Sequence, residues 1–361
     1  MWGVQVSSNY HEEIKRSGTK QLRQLIDELP PFAEEFFLGI SERTSVRTRV
    51  GYAHDLKIFF SYLCEHGRRF KGKALEGFTL ADFAAVEAID IRRYLEYVTY
   101  YTRSLSTATN KELTLDATND EHGKARKLSA IRKIFAYYYK AEKISRNPAE
   151  LVEFPKLHDK NITYLQVDEV AKLLDEVESG SKLQGHAKAY HAVTRLRDVA
   201  MISLFLGTGM RISELVGINI EHIDFDTNGI VITRKGGKED IVFFGKEVER
   251  ALREYMAKRQ LITPESGHDG ALFLSTQRKR IGARAVQNLV KKYAKLITPL
   301  KKITPHKLRS TYGTALYNET GDIYLVAEVL GHNDVNTTRK HYANMPLERR
   351  RKAADIVKLR D

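Results

Sequence analysis

Residues 303–342 hold the side chains whose types and spacing are best suited to chemistry. They begin Ile303-Thr304-Pro305-His306-Lys307-Leu308-Arg309, pass through an apolar helical run to Leu330-Gly331-His332, and close on Thr338-Arg339-Lys340-His341-Tyr342. A histidine and an arginine three apart on a helix point to the same side of it. A second histidine follows the Leu-Gly turn, and a phenol follows ten residues later. Cations and donors gathered around a phenol point to phosphoryl transfer, in which they stabilise charge on a phosphate while the oxygen attacks. A metal site is the rival use of His306, His332 and His341. No two of them have the i, i+4 spacing of a zinc helix, and no Cys-x-x-Cys pair accompanies them, so no metal is expected.

The elements that must position these groups are mostly helical. Val170, Leu173, Leu174 and Val177 repeat at helical spacing behind Asp168 and Glu169, acidic residues suited to a helix start, and Gly180 is a plausible stop. Residues 196–206 are mostly apolar and read as a buried helix. It leads to Gly207-Thr208-Gly209, a tight turn that sets Arg211 at the start of the next helix. Ile230-Val231-Ile232-Thr233 and Ile241-Val242-Phe243-Phe244 are β-formers around Lys235-Gly236-Gly237-Lys238, the pattern of a hairpin. Helical periods return over 248–256, over 285–296 and after Pro305. Gly207-Thr208-Gly209-Met210-Arg211 lacks the third glycine of a dinucleotide fingerprint, and Gly236-Gly237-Lys238 lacks phosphate-loop spacing, so no nucleotide cofactor is expected.

His306-x-x-Arg309, Leu330-Gly331-His332 and Tyr342 together resemble the second box of the tyrosine recombinases, the lambda-integrase and Xer group. Thr208-Gly209-Met210-Arg211-Ile212-Ser213-Glu214-Leu215 is similar to that family's first box, and Lys235 falls where the family carries a lysine on a hairpin. The parts occur in the family's order. The strings Arg234-Lys235-Gly236-Gly237-Lys238 and Thr304-Pro305-His306-Lys307-Leu308-Arg309 look closer to single-chain Xer recombinases, although mobile-element integrases share the same boxes. In two places the chain departs from the pattern: the gap from His332 to Tyr342 is one residue longer than the commonest spacing, and Ser310 stands where many members have histidine.

The resemblance implies a mainly α fold with a small hairpin sheet in the C-terminal domain, in a two-domain clamp around DNA. It implies Tyr342 as nucleophile, leaving the protein on a 3′ phosphate and freeing a 5′ hydroxyl. Arg211 and Arg309 then form the phosphate clamp, suited to it because guanidinium stays charged and offers paired donors to the non-bridging oxygens. His306 and His332 donate to the phosphate and help move the proton of a phenol whose ordinary pKa is about 10. Lys235 becomes the general acid for the leaving oxygen, with Lys238 an open alternative, and Glu214 a supporting group. The bond energy is kept in the covalent intermediate, so neither ATP nor metal is needed. Implied partners are double-stranded DNA bearing an inverted-repeat-like site, a homotetramer on two duplexes and an accessory protein. The short basic segment from Pro346 to Val357 would be the tail that docks on a neighbouring subunit. Chromosome-dimer resolution and mobile-element integration both fit. A type IB topoisomerase, acting on one duplex as a monomer, and a DNA-binding protein that never cuts are the two rival readings.

Composition agrees with a polyanionic partner. The 59 Lys and Arg against 46 Asp and Glu leave a formal charge of +13, which favours nucleic acid over an acidic small substrate. At 361 residues two domains are expected. We read residues 1–155 as a helical DNA-binding domain, 156–162 as a charged linker that follows Pro155, and 163–361 as the catalytic domain with a tail helix. In the first domain Tyr52, Leu56, Phe59, Phe60 and Leu63 mark one helix and Leu128, Ile131, Phe135 and Tyr138 another, which Arg146-Asn147-Pro148 is expected to end. Asp90 reads as the cap of a third, which carries Ile91, Leu95 and Val98 on one face, and the polar residues 104–123 as an exposed loop. Arg43, Arg47 and Arg49 gather at the start of the first helix, where side chains and backbone N–H groups could hold phosphate. Arg126, Lys127, Arg132 and Lys133 flank the stripe of the second and could track a DNA backbone. The Tyr137-Tyr138-Tyr139 run reads as core packing. Lone Cys64 lies in a helical apolar pattern and is expected to be buried. No signal peptide or apolar span is evident, so a cytoplasmic location is expected.

Overall fold

The computed structural model describes residues 9–106, 112–158, 162–234, 236–331 and 335 of the chain. The chain divides into two compact units, 1–159 and 160–361. Both are helical with one small antiparallel sheet each, and the fold is mainly α as the sequence indicates. Among the described residues no helix is long and apolar enough to cross a membrane.

The first unit comprises α1 (Asn9–Asp27), α2 (Ala33–Gly39), α3 (Val46–His66), α4 (Leu80–Ala85), α5 (Ala88–Tyr97), the strands β1 (Tyr100–Ser106) and β2 (Glu112–Thr118), and α6 (Glu121–Lys140). Helix α3 is its spine, packed by α1, α5 and α6. Ser45 caps it by accepting from the Thr48 N–H at 3.2 Å, and of the expected stripe Leu56, Phe59, Phe60 and Leu63 are wholly buried and Tyr52 half-buried. Opposite it lie Leu128, Ile131, Phe135 and Tyr138 of α6, also wholly buried, with the Phe135 ring stacked on Phe83 at 4.0 Å. Tyr138 donates its hydroxyl to the Phe32 carbonyl and Tyr137 packs edge-on against Phe36, whereas Tyr139 is exposed. Cys64 is buried.

Three local readings are corrected. The stretch expected to be a loop after Ser104 is half of a hairpin, β1 pairing antiparallel with β2 in the register Tyr101↔Ala117. Its sequence alternates at period two (Leu113, Leu115, Ala117), a signal that its polar composition conceals. Asp90 is not the cap of α5 but its third residue: Glu87 is the cap, and the Asp90 carboxylate accepts from the Glu87 N–H at 3.0 Å. Helix α6 ends at Lys140, short of the expected stop at Arg146-Asn147-Pro148, and Glu142 turns the chain at φ +56°.

The second unit comprises α7 (Val167–Ser179), α8 (Gly185–Thr208), α9 (Ile212–Gly217), the strands β3 (Ile223–Asp224), β4 (Gly229–Thr233) and β5 (Glu239–Phe243), then α10 (Lys246–Arg259), α11 (Ala283–Ile297), α12 (Pro305–Thr320) and α13 (Ile323–Leu330). Helix α7 starts and stops as expected. Glu169 accepts from the Gln166 N–H at 2.7 Å, and Gly180 ends the helix in the left-handed region. The central helix α8 is touched by α7, α10 and α12, which is why its run from Val199 to Phe205 is apolar on every side. The expected hairpin is β4–β5, in the register Ile232↔Asp240, and the two-residue β3 extends it to three strands.

Asp198 is the polar hub of this core. Its side chain is 1% exposed and accepts from Arg197 at 2.7 and 3.0 Å, from Thr194 at 3.0 Å and from the Tyr293 hydroxyl at 3.1 Å, with Lys292 at 3.7 Å. Arg197 also donates to the Leu274 carbonyl at 2.8 Å, so one carboxylate ties α8, α11 and the 271–281 loop together. Burial, and then the Asp198 charge, push the Tyr293 phenol well above its ordinary value, so it stays a donor. Asp198→Ala is expected to destabilise this unit by about 3–5 kcal/mol, because it leaves Arg197 and Lys292 poorly solvated without their carboxylate. Tyr293→Phe, which removes one neutral donor, should cost only about 1 kcal/mol. Urea unfolding of the full chain, followed by circular dichroism, compares the two, and equal losses would contradict the hub.

Candidate active site

The site grows out of the turn that ends α8. The Thr208 hydroxyl bonds back to the Leu204 carbonyl at 2.6 Å, and Gly209 then reverses the chain at φ +64°. A Cβ at Gly209 would lie 2.5 Å from the Tyr312 ring and 2.8 Å from Leu330, so both the backbone angle and the space require glycine. The reversal makes Arg211 the cap of α9. Its N–H donates to Glu214 at 2.7 Å, and its guanidinium donates to the other Glu214 oxygen at 2.9 Å. Glu214 is 3% exposed, so this carboxylate fixes Arg211 from the protein side.

Arg309 arrives from the far end of the unit. Pro305 opens α12 with its preset backbone angle, leaving His306 exposed and Arg309, one turn on, 3% exposed. Arg309 donates to the Gly209 carbonyl at 2.7 Å and to the Leu330 carbonyl. Helix α13 ends there, with Gly331 in the left-handed region at φ +61°. Arg211 donates to the Gly331 carbonyl at 2.9 Å. The two expected clamp arginines therefore meet on consecutive carbonyls of one helix end.

A third guanidinium joins them. Arg234, at the base of the β4–β5 turn, donates to the Leu330 carbonyl at 3.0 Å and the Val329 carbonyl at 3.2 Å, and stands 3.7 Å from Glu214. Nothing in the sequence beyond a basic residue beside the hairpin lysine marks it. The carbonyls closing a helix lack partners within it and carry the negative end of its dipole, so they are natural seats for cations. Arg211 is the open member of the group, its side chain 34% exposed. Burial raises the Tyr312 phenol, which packs against Gly209, above its ordinary value and leaves it a neutral packing group.

Lys235, His332, His341 and Tyr342 lie outside the described residues. Lys238 is exposed on the turn. A cavity of about 640 Å³ lies between α11 and the turn into α12, lined by Arg284, Gln287, Asn288, Lys291, Lys295 and Lys302 among others.

The basic candidates of the first unit separate into two groups. Arg43, Arg47, Arg126 and Lys133 are exposed, and Arg49 is half-buried. Arg126 also pairs with Asp55. Lys127 is not on the surface: it is 2% exposed and bonds Asp55 at 3.2 Å between α6 and α3. Arg132 is spent on structure, donating to the Ala149 carbonyl at 3.1 Å and to that of Val152, with its guanidinium 4.3 Å over the Phe154 ring. A helix flank rich in lysine and arginine does not reveal which of its cations turn inward.

Comparison with known proteins places the chain. The model of the phage integrase family matches residues 163–348. Tyrosine recombinase XerC of Caldanaerobacter subterraneus subsp. tengcongensis is 32% identical over 324 residues, covering 86% of this chain and 82% of the relative. XerC of Thermodesulfovibrio yellowstonii is 37% identical over 218 residues, 60% of this chain and 69% of that one. Among solved structures, XerH site-specific recombinase bound to a palindromic difH substrate superposes with a TM-score of 0.63 at 21% identity, over 86% of this chain and 80% of that one. The Tn1549 transposon integrase in complex with circular-intermediate DNA gives 0.61 at 18% identity, over 90% and 98%. At those identities the structures speak for the fold, and the sequence matches carry the assignment. The chain belongs to the phage integrase family, the tyrosine recombinases of the lambda-integrase and Xer type.

Proposed function

We propose that this chain is a site-specific DNA recombinase that cuts and reseals strands through a tyrosyl phosphate. The observation that carries the reading is the meeting of Arg211 and Arg309 on the Gly331 and Leu330 carbonyls, at the residue that precedes His332. Tyr342 is the nucleophile: its oxygen forms the bond to phosphorus as the bond to the 5′ oxygen breaks. Arg211 and Arg309 hold the non-bridging oxygens and the growing charge, with Glu214 keeping Arg211 aimed. His306 and His332 share the phosphate and take up the phenolic proton. Lys235, or Lys238 three residues on, protonates the leaving oxygen. The 3′ phosphotyrosyl bond conserves the energy of the diester, so a 5′ hydroxyl from a second strand reseals it with no ATP or metal.

The first unit, 1–155 in this reading, grips the duplex with its exposed arginines, and the basic cavity beside α11 offers a second surface for phosphates. XerH and the Tn1549 integrase, which share the fold, were each captured on DNA, and this supports double-stranded DNA as the partner. Strand exchange between two duplexes calls for four copies of the chain, with the residues from Pro346 onward as the link between neighbours. Resolution of chromosome dimers and movement of a genetic element use the same chemistry, and both fit this reading. The location in this reading is cytoplasmic.

A nicked suicide duplex carrying the target site should trap a covalent protein–DNA adduct with the native chain and none with Tyr342→Phe; an adduct that persists in the variant reassigns the nucleophile. On the same duplex Arg211→Ala should form adduct about 10²–10³-fold more slowly, the usual loss on removing one transition-state donor. Arg211→Lys should recover little, since an ammonium cannot bond Glu214 and Gly331 together with a phosphate in one plane. Native rates in Arg211→Lys would show that charge alone suffices.

A further inference from the structure

The turn between β4 and β5 combines an exposed, glycine-rich tip with one side chain that turns inward. Gly236 and Gly237 stand in succession at φ +93° and +85°, and both are exposed, as are Lys238, Glu239 and Asp240. The turn is closed at its base by the Arg234 N–H donating to the Lys238 carbonyl at 2.7 Å and the Gly237 N–H donating to the Arg234 carbonyl at 3.1 Å. Against this exposed tip the Arg234 side chain is 10% exposed and folds back into the unit.

Every nitrogen of that guanidinium has a partner. Nε donates to Asp240 across the hairpin at 2.9 Å, Nη1 to the Leu330 carbonyl at 3.0 Å and Nη2 to the Val329 carbonyl at 3.2 Å. Leu330 is the carbonyl that Arg309 also bonds, and Glu214, 3.7 Å from Nη1, is the carboxylate that orients Arg211. Gly331 completes the seat, because a Cβ there would lie 2.5 Å from Nη1 of Arg234. One planar fork thus joins the hairpin to both halves of the clamp, an arrangement only arginine can make. A salt bridge that merely stiffened the sheet would need Asp240 alone.

We infer that Arg234 is a positioning residue for strand cleavage, fastening the hairpin that carries the leaving-group acid to the helix end where Arg211 and Arg309 meet. The inference rests on the reading of the hairpin lysine as general acid given above. In that step the bond from phosphorus to the 5′ oxygen breaks and the oxygen leaves with a proton from lysine. With sulfur in place of that oxygen, the bond from phosphorus to sulfur breaks and a thiolate leaves without a proton, because thiols ionise near pH 8.5. A defect in delivering the proton should therefore vanish on the sulfur duplex, whereas a defect in holding the phosphate should persist.

The test measures single-turnover cleavage of matched oxygen and 5′-bridging-sulfur duplexes by the full chain and its Arg234→Ala, Asp240→Asn, Lys235→Ala, Lys238→Ala and Arg211→Ala variants. Arg234→Ala should be slower on oxygen by about 10²-fold, the scale of a misplacement of about 1 Å, and return to within a few-fold of the native rate on sulfur. Arg211→Ala should be slow on both. Asp240→Asn, which loosens the anchor from the hairpin side alone, should show a smaller loss with the same recovery, and it carries the test if Arg234→Ala does not fold. Native rates on oxygen for both anchor variants, or equal losses on both duplexes, overturn the inference while recovery of a lysine variant on sulfur leaves the acid in place. Recovery of neither lysine variant removes the hairpin acid itself, and the inference falls with it.

Discussion

The second unit depends on the end of one short helix. Val329, Leu330 and Gly331 offer three consecutive carbonyls, and Arg234, Arg309 and Arg211 each fill at least one, with Leu330 shared by two. Two cations about 4 Å apart repel by roughly 4 kcal/mol at the effective dielectric of a protein surface, so such a gathering must be offset. Glu214 and Asp240 supply two negative charges, and the helix end contributes part of a third. Among the described side chains, three guanidinium charges face two carboxylates, and the place stays net positive. A phosphodiester carries a single negative charge, so in the proposed reaction the substrate completes a balance that the protein leaves open. Donors held in advance on fixed carbonyls need no reorganisation as charge builds on the phosphate, the condition under which electrostatic catalysis is strongest.

That helix end can serve several distant segments only because the packing beneath it is rigid. Gly209 brings the Arg211 turn close enough to α12 and α13 that no side chain fits between them, and its carbonyl is itself an Arg309 partner. Helix α8 delivers this turn, and its depth in the core is fixed by apolar residues on every side and by Asp198. Polar anchors and apolar packing thus play separate parts. Burial fixes where the helices lie, whereas buried charges bonded to several elements fix how they are rotated and which carbonyls they present.

Much of this was readable in the chain and some was not, for reasons that follow from range. The stripes of α3 and α6, the apolar run of α8 and the glycines at 180 and 209 are local signals, set by neighbours within a turn or two. The β1–β2 hairpin carries a local signal as well, but one of weak amplitude, because threonine and serine fill the positions between its few apolar residues. Lys127 shows a different limit. Its partner Asp55 lies on another helix, so nothing around residue 127 separates a lysine facing solvent from one facing a carboxylate. Arg234 is illegible in the same way: its helix-end partners lie 95 and 96 residues downstream. The two box arginines were legible through resemblance, which names the residues and their order but not the carbonyls that gather them.

The different depths of the clamp arginines carry one further consequence. Arg309 is almost wholly buried, with its guanidinium committed to Gly209 and Leu330, whereas Arg211 keeps a third of its side chain open while holding Glu214 and Gly331. A buried guanidinium that keeps its carbonyl bonds still contributes its full charge, and in a place of low dielectric that charge reaches farther than it would in water. An open one can add short, directed bonds to the phosphate oxygens without first breaking those that hold it. The proposed clamp is therefore asymmetric: Arg309 meets the phosphate from a buried, braced position and Arg211 from a more open one. Arg234 acts on neither phosphate oxygen. It fixes the distance between that clamp and the hairpin, so a turn with two successive left-handed glycines is tied at its base.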